Sequence, residues 1–312
     1  MSVIEVRGLA KEYRGRRVVD RFDMTVARGD IYGFVGKNGA GKSTVMKMIC
    51  GVATPTAGEV RLFADEAFVG EAATGVATND LGRRVGALIE EPALLPNLSA
   101  YDNLMAKALA IGIVDAPERC HEVLRLVGLD YAERKKARGL SLGMKQRLGL
   151  ALALLGSPDV LLLDEPFNGL DPEGTRSLRK LLVRLNEVFG VTMVVSSHVL
   201  DQLDRMATRY GVIADGTMVR EITAEQVQAE CGESLRVRTT DPARTLAWLQ
   251  EALPAATYRV EPDQAIIVSG DYDTEAVAQA LKAAGQVILE FSPRRRDLEE
   301  YFVELMEGRR RA

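Results

Sequence analysis

Gly36-x-x-x-x-Gly41-Lys42-Ser43, which reads GKNGAGKS in full, is a spacing suited to holding phosphate. The glycines let backbone N–H groups turn inward around phosphate oxygens, and a helix beginning at the end of the loop adds its positive pole. Lys42 is expected to neutralise β- and γ-phosphate charge, and the Ser43 hydroxyl to ligate Mg²⁺. Farther along, LLLDEP brings Asp164 and Glu165 side by side at the end of an apolar run. Such a pair suits one carboxylate acting on Mg²⁺ while its neighbour orients or deprotonates an attacking water. Alone, the first motif is a glycine-rich turn and the second a strand end meeting solvent. Together they point to nucleoside triphosphate hydrolysis.

These residues need elements to position them. IYGFV at 31–35, VLLLD at 160–164 and VTMVVSS at 191–197 are continuous apolar runs, the pattern of strands in a parallel sheet covered on both faces. TVMKMIC predicts a helix after the phosphate loop, stopped at Gly51. In SLRKLLVRLNEVFG, Leu178, Leu181, Leu182, Leu185 and Val188 recur at helical spacing, which makes 160–197 a strand, helix, strand crossover. Residues 98–156 read instead as a helical insert. Ser99 and Asp102 form a capping pair, Pro117 opens a second helix, and 141–155 is rich in Leu and Ala. After Gly216 the pattern becomes strand, helix, two strands, helix, strand, which predicts a small α/β sandwich of the split βαβ type. A closing helix, RDLEEYFVELME, precedes a basic tail.

Composition sets the bounds. The chain has 312 residues, enough for more than one domain, and 40 Lys+Arg against 44 Asp+Glu give a formal net charge of −4. That balance offers no general attraction to nucleic acid or to an anionic membrane. Cys50, Cys120 and Cys231 lie far apart, and the histidines are His121 and His198, which argues against a disulfide scaffold or a zinc site. No uncharged apolar run reaches the length of a membrane span, and the start lacks a signal-peptide core. A cytoplasmic protein is expected, serving a membrane process only through a partner.

The stretch Leu140-Ser141-Leu142-Gly143-Met144-Lys145-Gln146-Arg147 completes the set. With the phosphate loop and Asp164-Glu165 it resembles the signature motif of the ATP-binding cassette ATPases. The resemblance covers residues 1–218 and implies a P-loop NTPase cassette with a helical subdomain at about 98–156. An accessory split βαβ, ferredoxin-like domain would follow at 219–306, then a basic tail at 307–312. It implies two copies sandwiching two ATP with Mg²⁺ head to tail. Ser141, Leu142, Gly143 and Met144 of one chain would face the ATP bound by the other, as a second helix N-terminus aimed at phosphate.

The same resemblance gives Tyr13 the role of the aromatic that stacks on adenine. The nucleotide would lie on Tyr13, Gly36, Lys37, Asn38, Gly39, Ala40, Gly41, Lys42, Ser43 and Thr44. Mg²⁺ would sit on Ser43 and Asp164. Glu165 would be the general base, Lys42 a catalytic cation, His198 the switch that contacts the γ-phosphate, and Asp171 the D-loop residue linking the two sites. At the junction where most of the family has glutamine, this chain has Glu90, which keeps an oxygen for the metal but adds a negative charge. Glu90, the SLGMKQR stretch and the loop together look like the export ATPases associated with resistance to bacitracin and lantibiotics. The implied partner is a separate integral membrane permease, with the ATPase peripheral on the cytoplasmic face, and no nucleic acid. Two alternatives stand beside this: a cassette ATPase acting on ribosomes or DNA, and a nucleotide-dependent regulatory switch. One phosphate loop and no heptad array count against the first; Glu165 and His198 count against the second.

Overall fold

The computed structural model describes residues 1–63, 67–69, 83–204, 206–231, 233–295 and 298–308. The expected basic tail lies outside them from residue 309. The chain divides into two compact units, one of Met1–Ile222 joined by the chain from Leu305, the other of Thr223–Glu304.

In the first unit, β1 (Ser2–Tyr13), β2 (Arg16–Ala27), β4 (Ala57–Leu62) and β5 (Ala67–Val69) form an antiparallel sheet ordered β2-β1-β4-β5. A second sheet runs β10-β9-β3-β8-β7-β6. Its strands are β3 (Ile31–Val35), β6 (Val85–Leu88), β7 (Val160–Leu163), β8 (Thr192–Ser197), β9 (Arg209–Ala214) and β10 (Thr217–Thr223). The pairs β3/β8, β3/β9, β7/β8 and β6/β7 are all parallel, so the C-terminal ends of these strands share one edge. In open α/β sheets that edge is where ligands bind. Every residue of β3, β7 and β8 is buried, which is why these strands read as unbroken apolar runs rather than alternating ones.

Helix α1 (Lys42–Ile49) follows β3 and buries Val45, Met46, Met48 and Ile49 against Phe22, Phe34 and the strands of both sheets. Full burial of such side chains stabilises by about 1.5–3 kcal/mol each. The helix starts at Lys42, earlier than the apolar pattern indicates, so Lys42 and Ser43 belong to its first turn. The helical insert contains α2 (Ala100–Ala110), α3 (Ala116–Leu126) and α4 (Leu142–Leu154). Ser99 and Asp102 make a reciprocal capping box at the head of α2, as their spacing predicts. Helix α5 (Pro172–Phe189) then crosses from β7 to β8 and ends on Gly190 in a left-handed conformation. A short α6 (Leu200–Leu203) follows β8.

The second unit opens with α7 (Ala224–Cys231) and continues as β11 (Glu233–Thr239), α8 (Pro242–Ala252), β12 (Ala256–Val260), β13 (Ile266–Gly270), α9 (Thr274–Ala283) and β14 (Ile288–Arg295). The closing helix α10 (Leu298–Gly308) begins in this unit, and its residues from Leu305 on belong to the first. The sheet order β12-β13-β11-β14 is all antiparallel, the split βαβ arrangement. Leu235, Val237, Ile266 and Val268 pack beneath Leu249, Val277 and Leu281 of the two helices. Among the described residues no helix is long and apolar enough to cross a membrane.

Candidate functional site

The loop after β3 depends on two glycines. A Cβ on Gly36 would stand 2.6 Å from the carbonyl oxygen of Ile213, on β9, so that position admits only hydrogen. Gly41, the residue before α1, has φ +110°, a conformation L side chains rarely adopt. Between them the chain turns tightly enough to bring the Lys42 ammonium back under its own loop. Lys42 Nζ donates to the Gly36 carbonyl at 2.6 Å and the side chain is 5% exposed. Lys37, Asn38 and Gly39 line the outer, exposed rim, while Ser43 and Thr44 are half-buried in the first turn of the helix.

Strand β7 delivers Asp164 and Glu165 beside this loop. Asp164 is buried, and its N–H donates to the Leu88 carbonyl at 2.8 Å. Glu165 holds φ +48°, a strained left-handed backbone for a glutamate. That twist turns its carboxylate toward both neighbours: Oε1 lies 3.3 Å from Lys42 Nζ, and Oε2 lies 2.8 Å from His198 Nδ1. A carboxylate only accepts, so in this contact Nδ1 carries a proton. The Lys42 contact meets the charge of Oε1 without a directional hydrogen bond, and this buried oxygen has no hydrogen-bond partner. Lys42, Glu165 and His198 thus form one chain of contacts.

Two residues the sequence did not single out pair with site residues. Ser196 Oγ on β8 donates to Asp164 Oδ1 at 2.6 Å and accepts the Glu165 N–H at 2.9 Å. Lys47, one turn into α1, donates to Glu90 Oε1 at 2.5 Å. Glu90 sits just beyond β6 with φ +62° and its side chain is largely exposed, directed to Lys47. The hydrogen bond from Lys47 to Glu90 is the main reason the Lys47 ammonium is held above its ordinary pKa. Nothing in the type of either residue announces the pairing, since both serine and lysine are ordinary at such positions.

Ser141 caps α4, accepting the Met144 N–H at 3.3 Å, and Leu142 beside it is exposed, while Gly143 and Met144 are half-buried. Asp171 caps α5 by accepting from Gly174 N–H at 2.9 Å. The segment between β7 and α5 reaches the head of α4: a Cβ on Gly169 would stand 2.5 Å from Leu142 Cδ2. Tyr13 ends β1, 44% exposed, with Lys11 Nζ 5.0 Å from its ring centre.

The ABC transporter family profile matches residues 19–168. The chain is 35% identical to the uncharacterised ABC transporter ATP-binding protein YcbN of Bacillus subtilis (strain 168), over 98% of this chain and 97% of that one. The chain belongs to the ABC transporter ATP-binding family. Its cassette is an ATPase, and the bacitracin transport ATP-binding protein BcrA of Bacillus licheniformis is 33% identical to it over 98% of both chains. A solved dimeric ATP-binding cassette in a post-hydrolysis state, bound to ADP and Pi, matches with a TM-score of 0.63 and 25% identity, covering 70% of this chain and 98% of that one. Family membership makes this cassette an ATP-binding one.

Proposed function

We propose that this cassette is the ATP-hydrolysing subunit of an exporter, driving a separate integral membrane permease from the cytoplasmic face of a bacterial membrane. The carrying observation is the contact chain from Lys42 through Glu165 to His198, beside a phosphate loop, in a protein alike over nearly its whole length to a bacitracin transport subunit. Antibiotic peptide is accordingly the cargo class.

In this reading adenine lies on the exposed ring of Tyr13, and the phosphates lie against the N–H groups of Gly36 to Thr44. A phosphate oxygen is a stronger acceptor than the Gly36 carbonyl, so Lys42 turns to it and releases its hold on Glu165. Glu165 then takes the proton of the attacking water as the new oxygen–phosphorus bond forms and the bond from the γ-phosphorus to the β–γ bridging oxygen breaks, leaving ADP and phosphate. His198 keeps the carboxylate aimed through Nδ1–H and stands on the γ-phosphate side of it. Ser43, Asp164 and Glu90 are hard oxygen donors of the kind Mg²⁺ takes together with substrate phosphates. Bound there, Mg²⁺ neutralises charge on the phosphate oxygens. Ser141 and Gly143 of the second copy face the γ-phosphate and Asp171 links the two sites, so ATP joins the cassettes and its hydrolysis parts them.

The test is what copurifies with tagged Glu165→Gln, gently solubilised in Mg-ATP. A stoichiometric polytopic membrane protein is expected. Ribosomes or nucleic acid without such a partner would overturn the transport reading.

A further inference from the structure

We infer that Ser196 is a positioning residue that sets the metal-binding carboxylate and the base together through one hydroxyl. The inference rests on the proposed roles of Asp164 and Glu165. Parallel pairing puts Leu163 of β7 opposite Val195 of β8, so Asp164, one residue past the end of β7, lies beside Ser196 of β8. Ser196 is fully buried and Asp164 nearly so, which makes the 2.6 Å bond between them one made in the absence of competing water. A hydroxyl donating to an ionised carboxylate is among the stronger protein hydrogen bonds. It occupies Oδ1 and so decides which oxygen of Asp164 is left for another ligand.

The same Oγ accepts the N–H of Glu165 at 2.9 Å. Glu165 has a left-handed backbone that costs free energy unless its surroundings hold it, and this N–H is part of what holds it. A serine has one proton to give and two lone pairs, so donating to Asp164 and accepting from Glu165 are compatible roles. With alanine at 196, Asp164 Oδ1 loses its donor and the Glu165 N–H loses its acceptor, both in a buried setting. The carboxylate is then free to rotate and the base to leave its strained conformation. Ser196 itself lies outside the phosphate loop, which meets the change only where Lys42 contacts Glu165.

The test compares the wild-type protein with Ser196→Ala, Ser196→Thr and Asp164→Asn in the full chain. Three quantities are read: affinity for a fluorescent ATP analogue in EDTA, the Mn²⁺ concentration giving half-maximal metal binding by electron paramagnetic resonance with ATP present, and kcat with KM. Ser196→Ala should keep metal-free nucleotide affinity within twofold, raise half-saturating Mn²⁺ about tenfold and lower kcat about tenfold or more. KM should stay within about threefold, and Ser196→Thr, which restores a hydroxyl, should recover both losses. Unchanged Mn²⁺ affinity and kcat in a folded Ser196→Ala would overturn the inference. So would a folded Ser196→Thr as impaired as alanine, because packing rather than the hydroxyl would then matter. Asp164→Asn separates the two levels. If it abolishes Mn²⁺ binding while Ser196→Ala does not weaken it, the positioning role alone fails; if it too leaves Mn²⁺ binding intact, the assignment of Asp164 fails.

Discussion

Glu165 Oε2 lies 2.8 Å from His198 Nδ1, joining the end of β7 to the end of β8 across the sheet edge that holds the phosphate loop. With Lys42 on its other oxygen, the carboxylate is held from both sides before nucleotide arrives. Glu165→Gln keeps the shape but removes the proton acceptor. It should bind ATP and dimerise, with turnover reduced on the order of 10² to 10⁴. Wild-type turnover in this variant would sink the assignment of the base. His198→Ala should also slow turnover while leaving ATP affinity near wild type, measured by nucleotide titration.

The phosphate loop permits a sharper steric prediction. A methyl group on Gly36 would meet the Ile213 carbonyl oxygen at 2.6 Å, and neither partner is a flexible side-chain end. Gly36→Ala should therefore displace the loop from β9, lower the melting temperature by an amount matching about 1–3 kcal/mol, and weaken ATP binding together with it. Thermal melts with and without ATP check this: the ATP-induced rise in melting temperature should shrink. A full ATP-induced shift would mean that the loop absorbs the methyl group without moving.

Where the sequence spoke clearly, residue type and strand position carried the same message. Lys42, Asp164, Glu165 and His198 each follow a short, fully buried strand and carry a group that phosphate chemistry uses, and parallel pairing then gathers them. Ser196 was silent because its importance lies in register: only the pairing of β7 with β8 sets it beside Asp164. Lys47 was silent for a similar reason, since Glu90 reaches it from the end of another strand. The N-terminal antiparallel sheet was also unread apart from Tyr13. Bulges break the register between β1 and β2 at several points, so the alternation that marks a half-buried strand does not persist there.

The Lys47–Glu90 pair gives Glu90 a competing partner for its carboxylate. Glu90→Gln should retain ATPase activity but move half-saturating Mg²⁺, and Lys47→Met, which frees the carboxylate, should move it in the opposite direction. Glu90 is largely exposed and Lys47 half-buried, so each shift should be about three- to fivefold. Lys47 has its pKa raised from 10.5 mainly by this hydrogen bond, so its contribution is complete below that value and is lost only as pH rises above it. Lys47 should therefore cause no drift in the Mg²⁺ response from about pH 7 to about pH 9. Identical Mg²⁺ titrations for wild type and both variants would return Glu90 to a neutral substitution.

Gly169 and Leu142 provide the last prediction, because they join the segment after the base to the head of the signature helix within one chain. Gly169 has φ +71°, and a Cβ there would stand 2.5 Å from Leu142 Cδ2. Gly169→Ala should cost about 1–2 kcal/mol in backbone strain and push Leu142, hence the Ser141 cap, out of place. ATP-dependent dimerisation, measured by light scattering in a Glu165→Gln background, should weaken more than stability alone accounts for. Leu142 is exposed, so Leu142→Ala removes the colliding methyl groups at little cost. If the steric link is the cause, Gly169→Ala with Leu142→Ala should dimerise better than Gly169→Ala alone, although the strain at 169 remains in both. If the double variant dimerises no better, the backbone conformation at 169, and not its contact with the signature helix, governs the association.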